Sequence, residues 1–235
     1  MKLLRKINIG PQRHGSARSI SRRRLPRQSL RDQAYEAIKD RIITCEFRPG
    51  ECLNEASVSA LLGLGRTPVH QALDRLMLEE MVEVIPRKGV IVKPVILHDV
   101  LQMIDVRMIN ETQCARLAAA RADDNHIENM SKVIDQARMA IDRRDIHALM
   151  MLDREFHLLL ANASKNFELA EILRKLNERS LRFWFISFTT PDHHHSFQQQ
   201  HEALYEAIRK HDANAAENAM RAHIEAFRKS VVRHL

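Results

Sequence analysis

The sequence predicts a mainly α-helical protein in two parts: an N-terminal winged helix-turn-helix with a small β-hairpin, then an all-α antiparallel bundle of about six helices. Three observations carry that expectation. Between residues 30 and 78, short helical patterns are separated by a Pro-Gly turn and a glycine-flanked corner. Two short β-branched runs around Gly89 follow. From Leu97 onward strand signals vanish and helical periodicity takes over.

Each element has a local reason. Leu30, Ala34, Ile38 and Ile42 recur at four-residue spacing, which lays one apolar stripe along a helix ending near Thr44, where "FRPGE" turns the chain. Asn54 can cap a second helix running to Leu62, and Gly63 suits the left-handed position that closes it. The corner "GLG" opens a third. Pro68 falls in that helix's first turn, where the missing N–H removes a donor without an intrahelical partner. Val69, Leu73, Leu76 and Met77 form its inner face, leaving Arg66, Thr67, His70, Gln71 and Asp74 outward. Strands at 82–85 and 90–92 are joined by a basic turn containing Arg87, Lys88 and Gly89. The bundle helices are expected at 98–122, 125–143, 146–163, 167–188, 196–211 and 213–233, with Asp145 and Asp212 as caps. "TTPDHHHS" reads as the conspicuous loop among them.

Charge is unevenly placed. The chain carries +7 overall, yet residues 1–28 hold nine Lys/Arg and no Asp/Glu, so the rest is at −2. Three readings compete for that basic tail: an arm gripping nucleic-acid phosphates, an organelle transit peptide, or a solvated extension. The organisation is therefore a tail at 1–28, a winged domain at 29–94 and a helical domain at 97–235. There is no apolar run of eighteen residues, no signal-like hydrophobic stretch and no C-x-x-C pair among Cys45, Cys52 and Cys114. These features point to a soluble cytoplasmic protein with no membrane partner and with buried free thiols.

The third helix can enter a major groove and read base edges, because its inner face is aliphatic and its outer face opens with basic and hydrogen-bonding side chains. Arg87 and Lys88 of the wing can then touch backbone or minor groove. The same corner also occurs in proteins that never meet DNA.

The stretch "SLRDQAYEAIKDRIITCEFRPGECLNEASVSALLGLGRTPVHQALDRLMLEEMVEVIPRKGVIVKP", followed by "DVRMINETQCARLAAARA", "LDREFHLLLANASKN", "QQHEALYEAI" and "AMRAHI", resembles the GntR family of bacterial transcription regulators, in its FadR-like branch with an FCD-type effector domain. The resemblance covers everything beyond residue 28. It implies a homodimer that binds double-stranded operator DNA, as a repressor, and answers to a small organic-acid or sugar-acid effector. His70 and Ala56 stand where the family usually has arginines, and Gln71 replaces its usual glutamate. Gln71 could make a bidentate contact to adenine, so a shifted operator preference is expected, with the tail supplying phosphate affinity.

Asp153 and His157 are four residues apart and so share one helix face; His201 and His223 lie on two other helices. Read alone, each histidine is as well explained by hydrogen bonding in the core or at the surface. The resemblance makes the four a ligand set, one position at a time. Nitrogen and oxygen donors of this kind suit a divalent transition metal, zinc foremost, or nickel, manganese or iron. The resemblance also places Arg107 as the clamp on an effector carboxylate; the alternative is an exposed pair with Glu111. His193, His194 and His195 are read as solvated, at the pocket mouth. The rival function is a metal-dependent enzyme acting on a small organic acid, although "HEALY" is not H-E-x-x-H.

Overall fold

The computed structural model describes residues 28–187 and 191–234. Apart from Gln28, the basic tail lies outside them.

The winged domain forms where its caps and spacings direct. Ser29 Oγ accepts from the Asp32 N–H at 3.1 Å and starts α1 (Leu30–Ile43). Asn54 Oδ1 accepts from Ala56 and Ser57 N–H at 2.9 and 3.2 Å and starts α2 (Glu55–Leu62). Gly63, at φ 63°, ends it in the left-handed region that glycine enters without a Cβ penalty. Helix α3 (Arg66–Leu78) carries Pro68 in its first turn and packs on α1. Its buried stripe is Val69, Ala72, Leu73 and Leu76. Met77, expected inside, is 40% exposed, because the buried stripe centres on Ala72 and Leu73 and helical spacing leaves Met77 on its flank.

The sheet has three strands among the described residues. The two-residue β1 (Cys52–Leu53) joins β2 (Val82–Ile85) and β3 (Gly89–Val92) in the order β1-β3-β2, all antiparallel. Cys52 pairs with Ile91, and Val82 with Val92.

The helical domain comprises α4 (Leu97–Arg121), α5 (Asp124–Asp142), α6 (Ile146–Ala163), α7 (Phe167–Ser187), α8 (Pro191–Arg209) and α9 (Ala213–His234). Asp145 caps α6 through the Ala148 N–H, and Asp212 accepts from Asn214 and Ala215 at the start of α9. Helix α4 lies against α9, α6, α7 and α8, whereas α5 packs on α6 and α8. One expectation fails at α8. Proline at a helix's first position is preorganised for it, so α8 begins at Pro191 and the histidine run lies within it.

Helix α7 also carries the junction with the winged domain. Lys39 of α1, 3% exposed, places Nζ 3.0 Å from Oε1 of Glu178, itself 1% exposed. Arg154 and Arg174 close on the same carboxylate at 2.8 and 3.1 Å. The thiols differ in place: Cys114 is buried, Cys45 half-buried and Cys52 exposed, so the expectation of buried cysteines holds only for Cys114. Among the described residues, no helix is long and apolar enough to cross a membrane.

Candidate functional site

Three imidazoles from three helices meet inside the bundle. His157 of α6, His201 of α8 and His223 of α9 are all buried, and one nitrogen from each falls within 4.8 Å of the others. Asp153, one turn before His157, faces two of them: its Oδ1 is 3.4 Å from His201 Nε2 and 3.9 Å from His157 Nε2. Asp153 and His157, which spacing paired, thus lie beside His201 and His223, which only the resemblance joined to them, with Asp153 at the edge of the group.

The surroundings leave lone pairs pointing inward. With Gln200 Oε1 accepting from His223 Nδ1 at 3.0 Å, the proton sits on Nδ1 and Nε2 keeps its lone pair. His201 Nε2 is buried without a hydrogen-bond partner among the described residues. An orphaned nitrogen beside a carboxylate is what a cation would satisfy, so these residues fit a divalent metal. Burial, helped by the neighbouring imidazoles, pushes the His201 and His223 pKa values well below the usual range. Both are thereby neutral, the form that coordinates. Burial also raises the Asp153 carboxyl, against the pull of His157 and Arg107.

Glu111 of α4 is a site residue that sequence spacing did not find. It is fully buried, and its Oε2 lies 3.2 Å from His157 Nδ1. Burial alone would raise its pKa; the charge of Arg107 and the contact with His157 outweigh that and hold the carboxyl at about 2. A carboxylate behind a ligating histidine fixes ring orientation and raises donor strength. Arg107, expected as an effector clamp or an exposed pair, is neither free nor exposed. It is 3% exposed, its Nε donates to Glu111, and Nη1 donates to Ser180 Oγ at 3.0 Å.

Two cavities flank the histidines. One is lined by Asp153 and His201 together with Phe156, Trp184, His194 and Gln198. The other lies against His157, Arg154, Arg174 and Asn177. Arg107 lines neither. The reading of the histidine run as solvated is corrected for His194, which is buried and lines the first cavity because helical geometry turns it inward. His195 is exposed, and the side chain of His193 lies outside the described residues.

On the other domain, Arg66, Thr67, His70 and Gln71 are all exposed along α3, as is Ala56 on α2. His70 is tethered at both ring nitrogens: Nδ1 lies 2.9 Å from Glu55 Oε1, and Nε2 lies 3.6 Å from Asp74 Oδ2. The wing tip presents Arg87, Lys88 and Gly89 to solvent, with Arg87 and Gly89 at φ 68° and 92°. The geometry thus couples a surface suited to a duplex with a buried ligand cluster.

Comparison with known proteins agrees. The family description "Bacterial regulatory proteins, gntR family" matches residues 30–92, and "FCD domain" matches residues 102–226. The chain is 26% identical over 206 residues to the HTH-type transcriptional repressor RspR of Escherichia coli K12, covering 88% of this chain and 90% of that one. It is 27% identical over 235 residues to the HTH-type transcriptional repressor NanR of Cronobacter sakazakii, covering 89% and 88% of the two chains. The solved structure of E. coli McbR/YncC superposes with a TM-score of 0.80 at 18% identity, over 88% of this chain and 99% of that one, which concerns the fold alone. RspR and NanR are both named as HTH-type transcriptional repressors. The chain belongs to the gntR family of bacterial transcription regulators, in the branch whose second domain is an FCD domain.

Proposed function

We propose that this protein is a ligand-responsive, homodimeric repressor whose bundle senses a small carboxylate or sugar acid with the help of a divalent transition metal. The observation that carries the reading is the convergence of His157, His201 and His223 with His201 Nε2 left orphaned. Those three and Asp153 would hold the metal, zinc foremost. When bound, the metal supplies Lewis-acid positions that a carboxylate oxygen can fill.

The chain's own residues do the rest. Glu111 orients His157, and Arg107 holds Glu111 in place from the far side. The apolar walls of the cavity beside His201, Phe156 and Trp184 among them, exclude water around the effector's carbon skeleton. At the other end, Arg66, Thr67, His70 and Gln71 read base edges, while Arg87, Lys88 and the Gly89 turn rest on the backbone. Effector capture changes operator affinity, and linkage requires operator to change effector affinity by the same factor.

The test is elemental analysis of undialysed protein, then thermal shift of metal-loaded protein against small organic acids, then gel shift on the gene's upstream region. Stoichiometric metal, an acid that raises the melting temperature and altered operator binding support the reading. Absence of metal, with effector binding intact after chelation, overturns the metal's part.

A further inference from the structure

Apart from the histidine cluster, one buried charged side chain is left without a counter-ion among the described residues. Arg182 of α7 is 4% exposed and has no acidic partner among the described residues. Its Nη2 donates to the Lys93 carbonyl, and its Nε is buried with no partner. A guanidinium taken out of water unpaired is expensive, and structures normally compensate it. Burial, with repulsion from Arg179, lowers its pKa.

Arg182 lines a crevice where the winged domain meets the bundle. Lys93 and Arg179 line the same crevice. Both lean on a single acid: Glu80 Oε2 lies 3.5 Å from Lys93 Nζ and 3.2 Å from Arg179 Nη1. The crevice floor is the start of α4, a 25-residue helix whose N-cap, Ile96, offers no side-chain acceptor to the first-turn N–H groups. Those donors and the helix dipole favour negative charge. Asp99 is the other acid in the lining. The count is three cations against two carboxylates, with the most deeply buried cation unmatched.

We propose that this crevice is a second ligand site that takes a small oxyanion, a phosphate or a carboxylate, between Arg182, Arg179 and the N-terminus of α4. The planar guanidinium fork suits either group. The site shares no residue with the histidine cluster and does not depend on it. Its walls belong to both domains: Lys93 directly follows β3, Arg182 sits in α7, and the Arg182 carbonyl accepts from the half-buried Cys45 thiol at 3.6 Å. An anion seated there would tie the last wing strand to the bundle and so favour one setting of the winged domain.

The test uses the full-length protein, with metal removed by chelation, in buffers of matched ionic strength. Sodium phosphate and sodium acetate are titrated separately against wild type, Arg182→Met and Asp99→Asn by thermal shift and calorimetry. At least one anion should bind wild type saturably, and which one identifies the source. Arg182→Met should weaken that binding about tenfold or more, the loss expected for one charge-assisted contact. Asp99→Asn should tighten it, and that variant keeps the idea testable if Arg182→Met fails to fold. Equal binding by wild type and Arg182→Met overturns the proposal. So does weaker binding by Asp99→Asn, which would make Asp99 part of the cradle's support instead of its opponent.

Discussion

Glu178→Gln removes the one carboxylate on which three cations converge, and the structure sets the cost. Breaking a buried pair typically costs about 3 to 5 kcal/mol because a charge is stranded. Here no cation is left entirely bare. Lys39 keeps Glu36 Oε2 at 3.3 Å, Arg154 keeps Asp40 Oδ1 at 3.7 Å, and Arg174 keeps Glu171 Oε2 at 3.1 Å. The two arginines are 28% and 22% exposed, so water relieves them, while Lys39 at 3% has no such relief. The lower end of the range follows, about 3 kcal/mol, nearly all of it from Lys39. Urea unfolding followed by Trp184, the chain's one tryptophan and a buried residue of α7, measures it. The double variant Lys39→Met, Glu178→Leu should recover to within about 1 kcal/mol of wild type, because apolar replacements need no counter-ion.

The pH dependence has a definite sign. Burial raises the Glu178 carboxyl, but Lys39, Arg154 and Arg174 outweigh it and lower the pKa, so its contribution is present above the ordinary carboxyl range and lost as pH falls through the lowered value. Burial opposes the Lys39 charge, but Glu178 outweighs it and raises the pKa; its contribution is present below the ordinary lysine value and lost as pH rises through the raised one. The deficit of Glu178→Gln should therefore be fully present from about pH 5 through neutrality and shrink toward about pH 10, because Lys39, stranded without its counter-ion, sheds its proton more easily as burial demands. A Glu178→Gln protein within about 0.5 kcal/mol of wild type at pH 7 would refute the reasoning.

Three further outcomes are expected. Leu76→Ala empties a fully buried position under α3 and should cost about 3 kcal/mol by the same unfolding measurement; a loss under about 1 kcal/mol would mean the site collapses freely. His70, whose pKa is raised first by its hydrogen bond to Glu55 and then by the charges of Asp74 and Glu55, should titrate above the ordinary imidazole value by NMR. That contact holds at low pH and is lost as pH rises through the raised value, and Glu55→Gln should bring the midpoint back down. A thiol reagent at pH 8 should modify exposed Cys52 at once, while Cys114, pushed up to about 12 by burial, should react only on unfolding; early modification of Cys114 would contradict its place in the core.

Much of this molecule was legible because its signals are local. Asn54, Gly63 and Pro68 mark helix ends through backbone chemistry that needs no distant partner. Asp153 and His157 share a face by helical spacing alone. What escaped depends on tertiary contacts or on competing local signals. Strand β1 is too short to show alternation and exists only through pairing with β3, some forty residues later. Glu111 looked like a neighbour of Arg107 along one helix, whereas its contact with His157 crosses from α4 to α6. The polar run "TTPDHHHS" read as a loop, whereas α8 begins at Pro191 within it, and that reading hid His194. Met77 fell outside because the buried stripe runs through Ala72 and Leu73, which leaves Met77 on its flank.

The bundle is fastened by its two ends: α4, which leaves the winged domain, lies against α9, and His223 of α9 is one of the converging rings. During synthesis α4 emerges more than a hundred residues before its cover. A nascent chain, or one cut short by a premature stop codon, would contain every residue of α3 while α4 exposed its apolar flank and the histidine cluster lacked its final ring. Such truncations should be aggregation-prone, and under the function proposed above they should not answer to effector, so nonsense alleles in the last helix should resemble loss of regulation more than partial activity.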